Sequence, residues 1–348
     1  MSANLMERNG KVGMFCVGER ESAWHKLGQR TPDAVKWEDA VTLADLNWTV
    51  EKRQLYARNP LGTVVSVPSY GTFRTDDGAY LGTVGEGYGI IQNREQFQWI
   101  DAILEAANGA HYESAGALGN GERIWCLARI PEADYEIDGG DKHQAYLMGC
   151  TSHDGSLAQT LKLVDTRVVC ANTLAVALRE SGSAVRVKHT VNAQARMQEA
   201  VRAVTSVVSS AKTIQAKMER LASTKLTRES TERILDILFP KSKDEKANQT
   251  RRENTVSDVL GLFASNDRNA FPSVKGTAYN LFNAVTEYAD HMRTARGNGS
   301  QPGQVAMARA ESALFGSGEK LKTQALEVIL EHTSASLLES AIANGVRV

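Results

Sequence analysis

The stretch Leu147–Leu174, LMGCTSHDGSLAQTLKLVDTRVVCANTL, gathers the densest set of potentially reactive side chains. His153 with Asp154 or Asp165 and a Cys or Ser nucleophile has the parts of a hydrolytic triad, in which a carboxylate orients an imidazole and the imidazole activates the nucleophile. His143, Cys150, His153 and Cys170 are side chains of the kind zinc accepts, neutral imidazole and thiolate. Neither set has a supporting signature. No nucleophile elbow or catalytic-cysteine pattern surrounds a Ser or Cys, and the spacing of the four metal candidates is irregular. The plain alternative is a turn in which Thr151, Ser152 and Asp154 satisfy the backbone. No catalytic residue and no metal site is therefore assigned.

Two glycine-rich stretches invite comparison with phosphate loops. Gly85, Gly87 and Gly89 lack a following GKS or GKT and a complete dinucleotide fingerprint, and read better as relief for a bend or bulge in a strand. Gly316-Ser317-Gly318-Glu319-Lys320 lacks the Walker spacing, so Ser317 is expected as a helix N-cap. No nucleotide or other cofactor is expected.

Charge is more informative. Residues 1–160 carry 14 Lys and Arg against 22 Asp and Glu, residues 161–230 carry 12 against 5, and residues 231–348 carry 14 of each, so a net charge of −1 conceals balances of −8, +7 and 0. A basic centre of this kind suits an anion-binding face or a solvated basic helix. Lys162, Arg167, Arg179, Arg186, Lys188, His189, Arg196 and Arg202 form the candidate phosphate-binding set, tracking a nucleic-acid backbone without reading its sequence. They are expected on a strand end, a helix, the short basic strand VRVKH and a long helix.

The elements that must position these residues follow from periodicity and punctuation. TPDAVKWEDAVTLADL has an approximate helical apolar face. WTVEKRQLYA, TVVSVPSYGTFRT and AYLGTVGEGYGII are strands broken at Asn59-Pro60 and Asp76-Asp77-Gly78. Asn93 is expected as the N-cap of a helix carrying Phe97, Ile100, Ile103 and Leu104. HYESAGAL and ERIWCLARI flank a hairpin turn at Gly119-Asn120-Gly121, PEADYEIDGGDKH reads as an acidic loop, and QAYLMGCTS as a strand. A helix is expected from about Cys170. From Met197 to Leu221 apolar residues recur at steps of three and four, which predicts a helix of about 30 residues with one seam, packing on its own sheet or on a neighbouring subunit. Further helices are predicted over 228–239, 277–292 (amphipathic), 305–315, 319–330 and 334–343, with exposed linkers near 240–252 and 294–304. Tight sequential hairpins with one early crossover helix predict an α+β fold: an N-terminal curved, largely antiparallel sheet with packed helices over 1–190, then a helical C-terminal half over 191–348.

The chain is long enough for one large domain or two ordinary ones. MSANLMERNG has no apolar run after its first charges, so no secretory signal is expected, and Cys16, Cys126, Cys150 and Cys170 are expected as reduced thiols in a cytoplasm. No stretch approaches the roughly 20 apolar residues that span a bilayer.

TSHDGSLAQTLKLVDTRVVCANTLAVAL, GTAYNLFNAVTEYADHMR and ESALFGSGEKLKTQALEVIL together resemble the phage/plasmid-like protein family, domain of unknown function 932, and the likeness runs from GERESAWHKLG to the final helices. The resemblance implies a gene of a phage, prophage or mobile plasmid and carries no catalytic residues with it. At the level of fold alone, the order of elements is also similar to phage single-strand annealing proteins, in which a curved antiparallel sheet packs on helices and subunits form rings or filaments holding single-stranded DNA. The resulting expectation is a non-enzymatic, homo-oligomeric protein of a bacterial cytoplasm that binds single-stranded DNA in annealing or recombination. A host or phage recombination factor is a further candidate partner. The alternatives are a mobile-element protein that binds a host factor through its acidic N-terminal half, and a hydrolase centred on His153.

Overall fold

Pairing between neighbouring strands dominates the first half of the chain. The computed structural model describes residues 5–343 apart from 9, 19–27, 34, 106, 138–139, 168–172, 177–184, 203–206, 242–245, 266–271, 294–311 and 313–315. Among the described residues, the main sheet runs β13 (Thr173–Val176), β12 (Gln159–Arg167), β11 (Asp141–Ser152), β9 (Arg123–Arg129), β8 (His111–Leu118), β3 (Met14–Val17) and β4 (Gln29–Thr31). β10 (Tyr135–Ile137) adds to β11, and β14 (Val185–Val187) adds to β12 beyond β13. Every pairing is antiparallel except β3 with β4. β5 (Val50–Arg58), β6 (Val64–Arg74) and β7 (Tyr80–Val84) make a second antiparallel sheet, and β1 (Glu7–Arg8) pairs with β2 (Lys11–Val12).

Both faces of the main sheet are covered at its centre, which is why β11 is buried along most of its length instead of alternating. Ala145, Leu147, Leu161 and Leu163 join the principal apolar cluster, whereas Met148, Cys150 and Val164 join a smaller one with Trp125 and Met14. Helix α2 (Asn93–Leu104) lies on the first face. Gly149 permits this approach, since a Cβ there would stand 2.2 Å from Ile100 Cδ1. The N-cap is Gln92 rather than Asn93: Glu95 accepts the Gln92 N–H at 2.7 Å, and the Gln92 amide pairs with the backbone of Val50. Asn93, one residue inside, is buried and holds the Leu46 and Trp48 carbonyls.

The second half is helical: α3 (Ala193–Arg202), α4 (Val207–Ser223), α5 (Arg228–Leu238), α6 (Lys246–Ser265), α7 (Ala278–Glu287), a π-helical turn over Tyr288–Met292 and α8 (Ser317–Ala343) follow α1 (Trp37–Leu43) and α2. The seam residues Met197, Ala211, Ile214, Met218 and Leu221 are buried in the chain's own core. Positions 203–206, between α3 and α4, lie outside the described residues.

Several expectations are corrected. Thr173–Val176 is a strand where a helix was expected from Cys170, because β12 offers an unpaired edge and Thr166 pairs with Thr173. The acidic loop contains β10, whose Tyr135 and Ile137 turn inward while Glu136 stays out. Most of the linker expected over 240–252 is the start of α6: Lys, Ala, Gln and Arg are good helix formers despite their charge, and Arg252 ties the helix back to Phe239 O and Asp236. α7 is buried at every position, so its polar residues Asn280, Asn283 and Thr286 face protein rather than water. One helix, α8, replaces the two expected over 319–343, and it begins at Ser317. The linker 294–304 and nearly all of the helix expected over 305–315 lie outside the described residues.

A single apolar cluster extends from Met6 through α2, the sheet, α4, α5 and α7 to Ile329. The boundary near 190 is thus a change of secondary structure within continuous packing. No helix among the described residues is long and apolar enough to cross a membrane.

Candidate nucleic-acid interface

Alternation along β14 decides what its basic residues can do. Val185 and Val187 are buried, so Arg186 and Lys188 project outward from the last strand on that edge. α3, which packs against β14, buries Ala193 and Met197 and leaves Gln194 and Arg196 exposed. Val185 and Val187 share the principal apolar cluster with Ala193 and Met197, so Arg186 and Lys188 present charge to solvent on the side of this edge opposite the one that α3 covers, and α3 exposes Arg196. Arg167 and Arg202 lie at the ends of β12 and α3, where the structure describes the backbone only, and Arg179 lies outside the described residues.

Two other candidates are used internally. Lys162 is buried on β12, and its Nζ donates to Glu319 Oε1 of α8 at 2.7 Å, so its charge is compensated inside the fold. Pairing follows from its position: a lysine on a covered sheet face cannot reach water and needs a carboxylate. His189 is half-buried, with its ring stacked on Tyr88 at 4.9 Å, Nδ1 donating to Gly89 O at 3.2 Å and Nε2 accepting from Thr151 Oγ1 at 3.1 Å. Burial lowers its pKa, so it stands as a neutral wedge rather than a cation. Gly89 allows the close crossing, because a Cβ would lie 2.1 Å from Thr190 O.

The other reactive-looking residues are also structural. His153 is fully buried; its Nε2 donates to Asn93 Oδ1 at 2.9 Å, and its ring meets Trp48 edge-on. The direction follows from Asn93, whose amide nitrogen is already donating to two carbonyls. Burial, with His189 nearby, pushes the His153 pKa down to about 3. Asp154 turns away to accept the Ser156 N–H at 2.8 Å, and Asp165 pairs with a different histidine. The triad is not assembled. Cys126 and Cys150 are buried thiols pushed up to about 12 by desolvation, the wrong direction for a nucleophile. Among the described residues no group of His, Cys, Asp and Glu has metal-site geometry, and Cys170 lies outside them.

What sequence reading missed is how the three motif stretches interlock. Asp165 accepts from Tyr135 O–H at 2.7 Å and faces His143 Nδ1 at 2.8 Å; His143 Nε2 meets Tyr279 O at 2.7 Å, and Tyr279 O–H donates to Asp141 at 2.5 Å. This chain of buried groups ties β10, β11 and β12 to α7. Lys162 ties β12 to α8 through Glu319, and Lys322 of α8 reaches Asp290 of the π turn at 2.7 Å with both side chains buried. Lys322 could have been found: it shares one helical stripe with Ala325, Leu326 and Ile329, so it is a lysine on an apolar face.

A family model for a domain of unknown function (DUF932) matches residues 80–314, a span that contains the β14 and α3 surface and two of the three interlocked stretches. No significant match to a curated protein or to a solved structure was found.

Proposed function

The chain belongs to the DUF932 family, and from that premise we propose that it is a non-enzymatic protein that binds single-stranded DNA and serves annealing or recombination of phage or mobile-element DNA in the cytoplasm of a bacterial host. The observation that carries this reading is the outward pair Arg186 of β14 and Lys188 just after it, with Arg196 exposed on the helix that packs on the other side of the same sheet edge. Cations held on a rigid strand and helix neutralise phosphates and release counterions, whereas the same charges inside the fold do not. Arg167, Arg179 and Arg202 belong to the same proposed surface. Rings or filaments of the chain are part of the proposal.

The test is fluorescence anisotropy with a labelled oligonucleotide across a salt series. Replacing Arg186, Lys188 and Arg196 together by Ala is expected to weaken binding and to lower the slope of log K against log salt by roughly 2, at about 0.7 per lost phosphate contact on a single strand. Unchanged affinity and slope would remove this surface from the assignment. Sedimentation with and without the oligonucleotide measures assembly.

A further inference from the structure

Single-strand binding needs ring faces for bases as well as cations for phosphates, and the β14 and α3 surface presents no described exposed aromatic. Elsewhere, Tyr56 and Tyr80 are exposed among the described residues, and Tyr56 is the more exposed. β5 and β6 divide into a root and an arm. At the root, Gly71, Thr72 and Arg74 are buried, but no residue from 51 to 70 is. Register shifts between Gln54 and Tyr56, and the Gln54 amide fills the irregularity by donating to the Leu55, Val67 and Ser69 carbonyls. At the tip Asn59 Oδ1 accepts the N–H groups of Leu61 and Thr63. The arm is therefore an ordered ribbon that stands clear of the body, and the six steps from Lys52 to Arg58 give it a reach of about 20 Å.

Its surface has a definite chemistry. Tyr56 is 65% exposed and lies opposite Ser66; Arg58 lies opposite Val64, so Tyr56, Arg58 and Val64 share one side of the ribbon. Between Lys52 and Thr75 the sequence has Lys52, Arg53, Arg58 and Arg74 and no carboxylate, inside an N-terminal part that is otherwise acidic. Arg74 is buried against Asp76. Arg58 remains outward on the side of Tyr56, whereas Arg53 projects from the opposite side, beside Glu51. The root joins the phosphate surface by direct contacts: Lys52 Nζ donates to Glu86 O and Tyr88 O at 2.5 and 3.0 Å, and the Tyr88 ring stacks on His189, the neighbour of Lys188.

We propose that the β5 and β6 arm is the base-stacking element of the single-strand site, with Tyr56 as ring platform and Arg58, on the same side of the ribbon, as its phosphate contact. The proposal rests on the single-strand reading above and adds the element that reading lacks. Because these side chains are exposed, their replacement leaves the core intact.

The experiment measures binding of the full chain and of Tyr56→Ala, Tyr56→Trp and Arg58→Ala to a single-stranded oligonucleotide, to its abasic counterpart and to a duplex. Tyr56→Ala is expected to weaken binding to the single strand roughly tenfold with little change in salt slope, and Tyr56→Trp to restore it. The abasic strand and the duplex, which offer no free base, are expected to show no difference between the full chain and Tyr56→Ala. Arg58→Ala is expected to lower the salt slope by about 0.7. If Arg186, Lys188 and Arg196 prove necessary while Tyr56→Ala binds like the parent, the arm is overturned and the single-strand reading stands. No binding by the parent chain overturns both. A change in sedimentation of Tyr56→Ala without a change in affinity assigns the arm to contact between copies and likewise overturns the proposal.

Discussion

The interlocked polar groups between β12, α7 and α8 and the outward cations of β14 and α3 are built from the same residue types, yet they differ in what remains for a ligand. In the interior each described cation already has its carboxylate: Lys162 with Glu319, Lys322 with Asp290. On β14, alternation leaves Arg186 and Lys188 facing water. The lesson is that a run of positive charge in sequence is divided by the fold into a part that holds elements together and a part that can meet an anion. Only the second part can respond to salt as a binding surface does.

Breaking the interior side of this contrast is expected to have the largest effect. Lys322→Met leaves Asp290 buried without its cation and should cost about 3–5 kcal/mol in urea or thermal unfolding; a loss under about 1 kcal/mol would contradict the buried pair.

Acid tests the interior next. His153 is kept neutral when folded, with a pKa of about 3, but binds a proton near 6.5 when unfolded. The unfolded state therefore holds more protons between those values, and stability falls as pH drops below about 6.5, at up to about 1.4 kcal/mol per pH unit. The slope of stability against pH between 6.5 and 5 should flatten in His153→Gln, and an equal slope in the variant would assign the acid sensitivity elsewhere.

Tyr279→Phe removes the hydroxyl that His143 and Asp141 share, while leaving the ring in place. A loss of about 1–2 kcal/mol is expected, and a neutral result would mean that the hydroxyl is not needed to join α7 to the sheet.

The smallest stability effect belongs to the surface. Arg186, Lys188 and Arg196 replaced together by Ala should change unfolding by less than about 0.5 kcal/mol, even as oligonucleotide affinity falls. A large destabilisation there would erase the contrast between the two regions.

Much of the architecture was legible in local pattern. Turn residues at Asn59-Pro60, Asp76-Asp77-Gly78 and Gly119-Asn120-Gly121 marked hairpins that the structure contains, and VRVKH was readable as a strand because valines alternate with basic residues. Misreadings arose where tertiary context overrides composition. PEADYEIDGGDKH looked like a loop because its acidic and Gly residues are visible in sequence, whereas the free edge of β11 that recruits Tyr135–Ile137 is not. KANQTRR looked like a linker because charge suggests solvent, although solvent exposure is compatible with a helix.

The sequence by itself determined the main hairpins, the α+β class, the family likeness and the placement of charge along the chain. These depend on periodicity, turn chemistry and residue type, all of which are local. Only the tertiary structure decided that His153 is a buried neutral imidazole, that Lys162 is spent on Glu319, and that Tyr56 stands exposed on an arm. Each outcome depends on what a residue distant in sequence brings against that side chain, and burial, which sets the cost of a charge and the availability of a ring, is a property of that meeting.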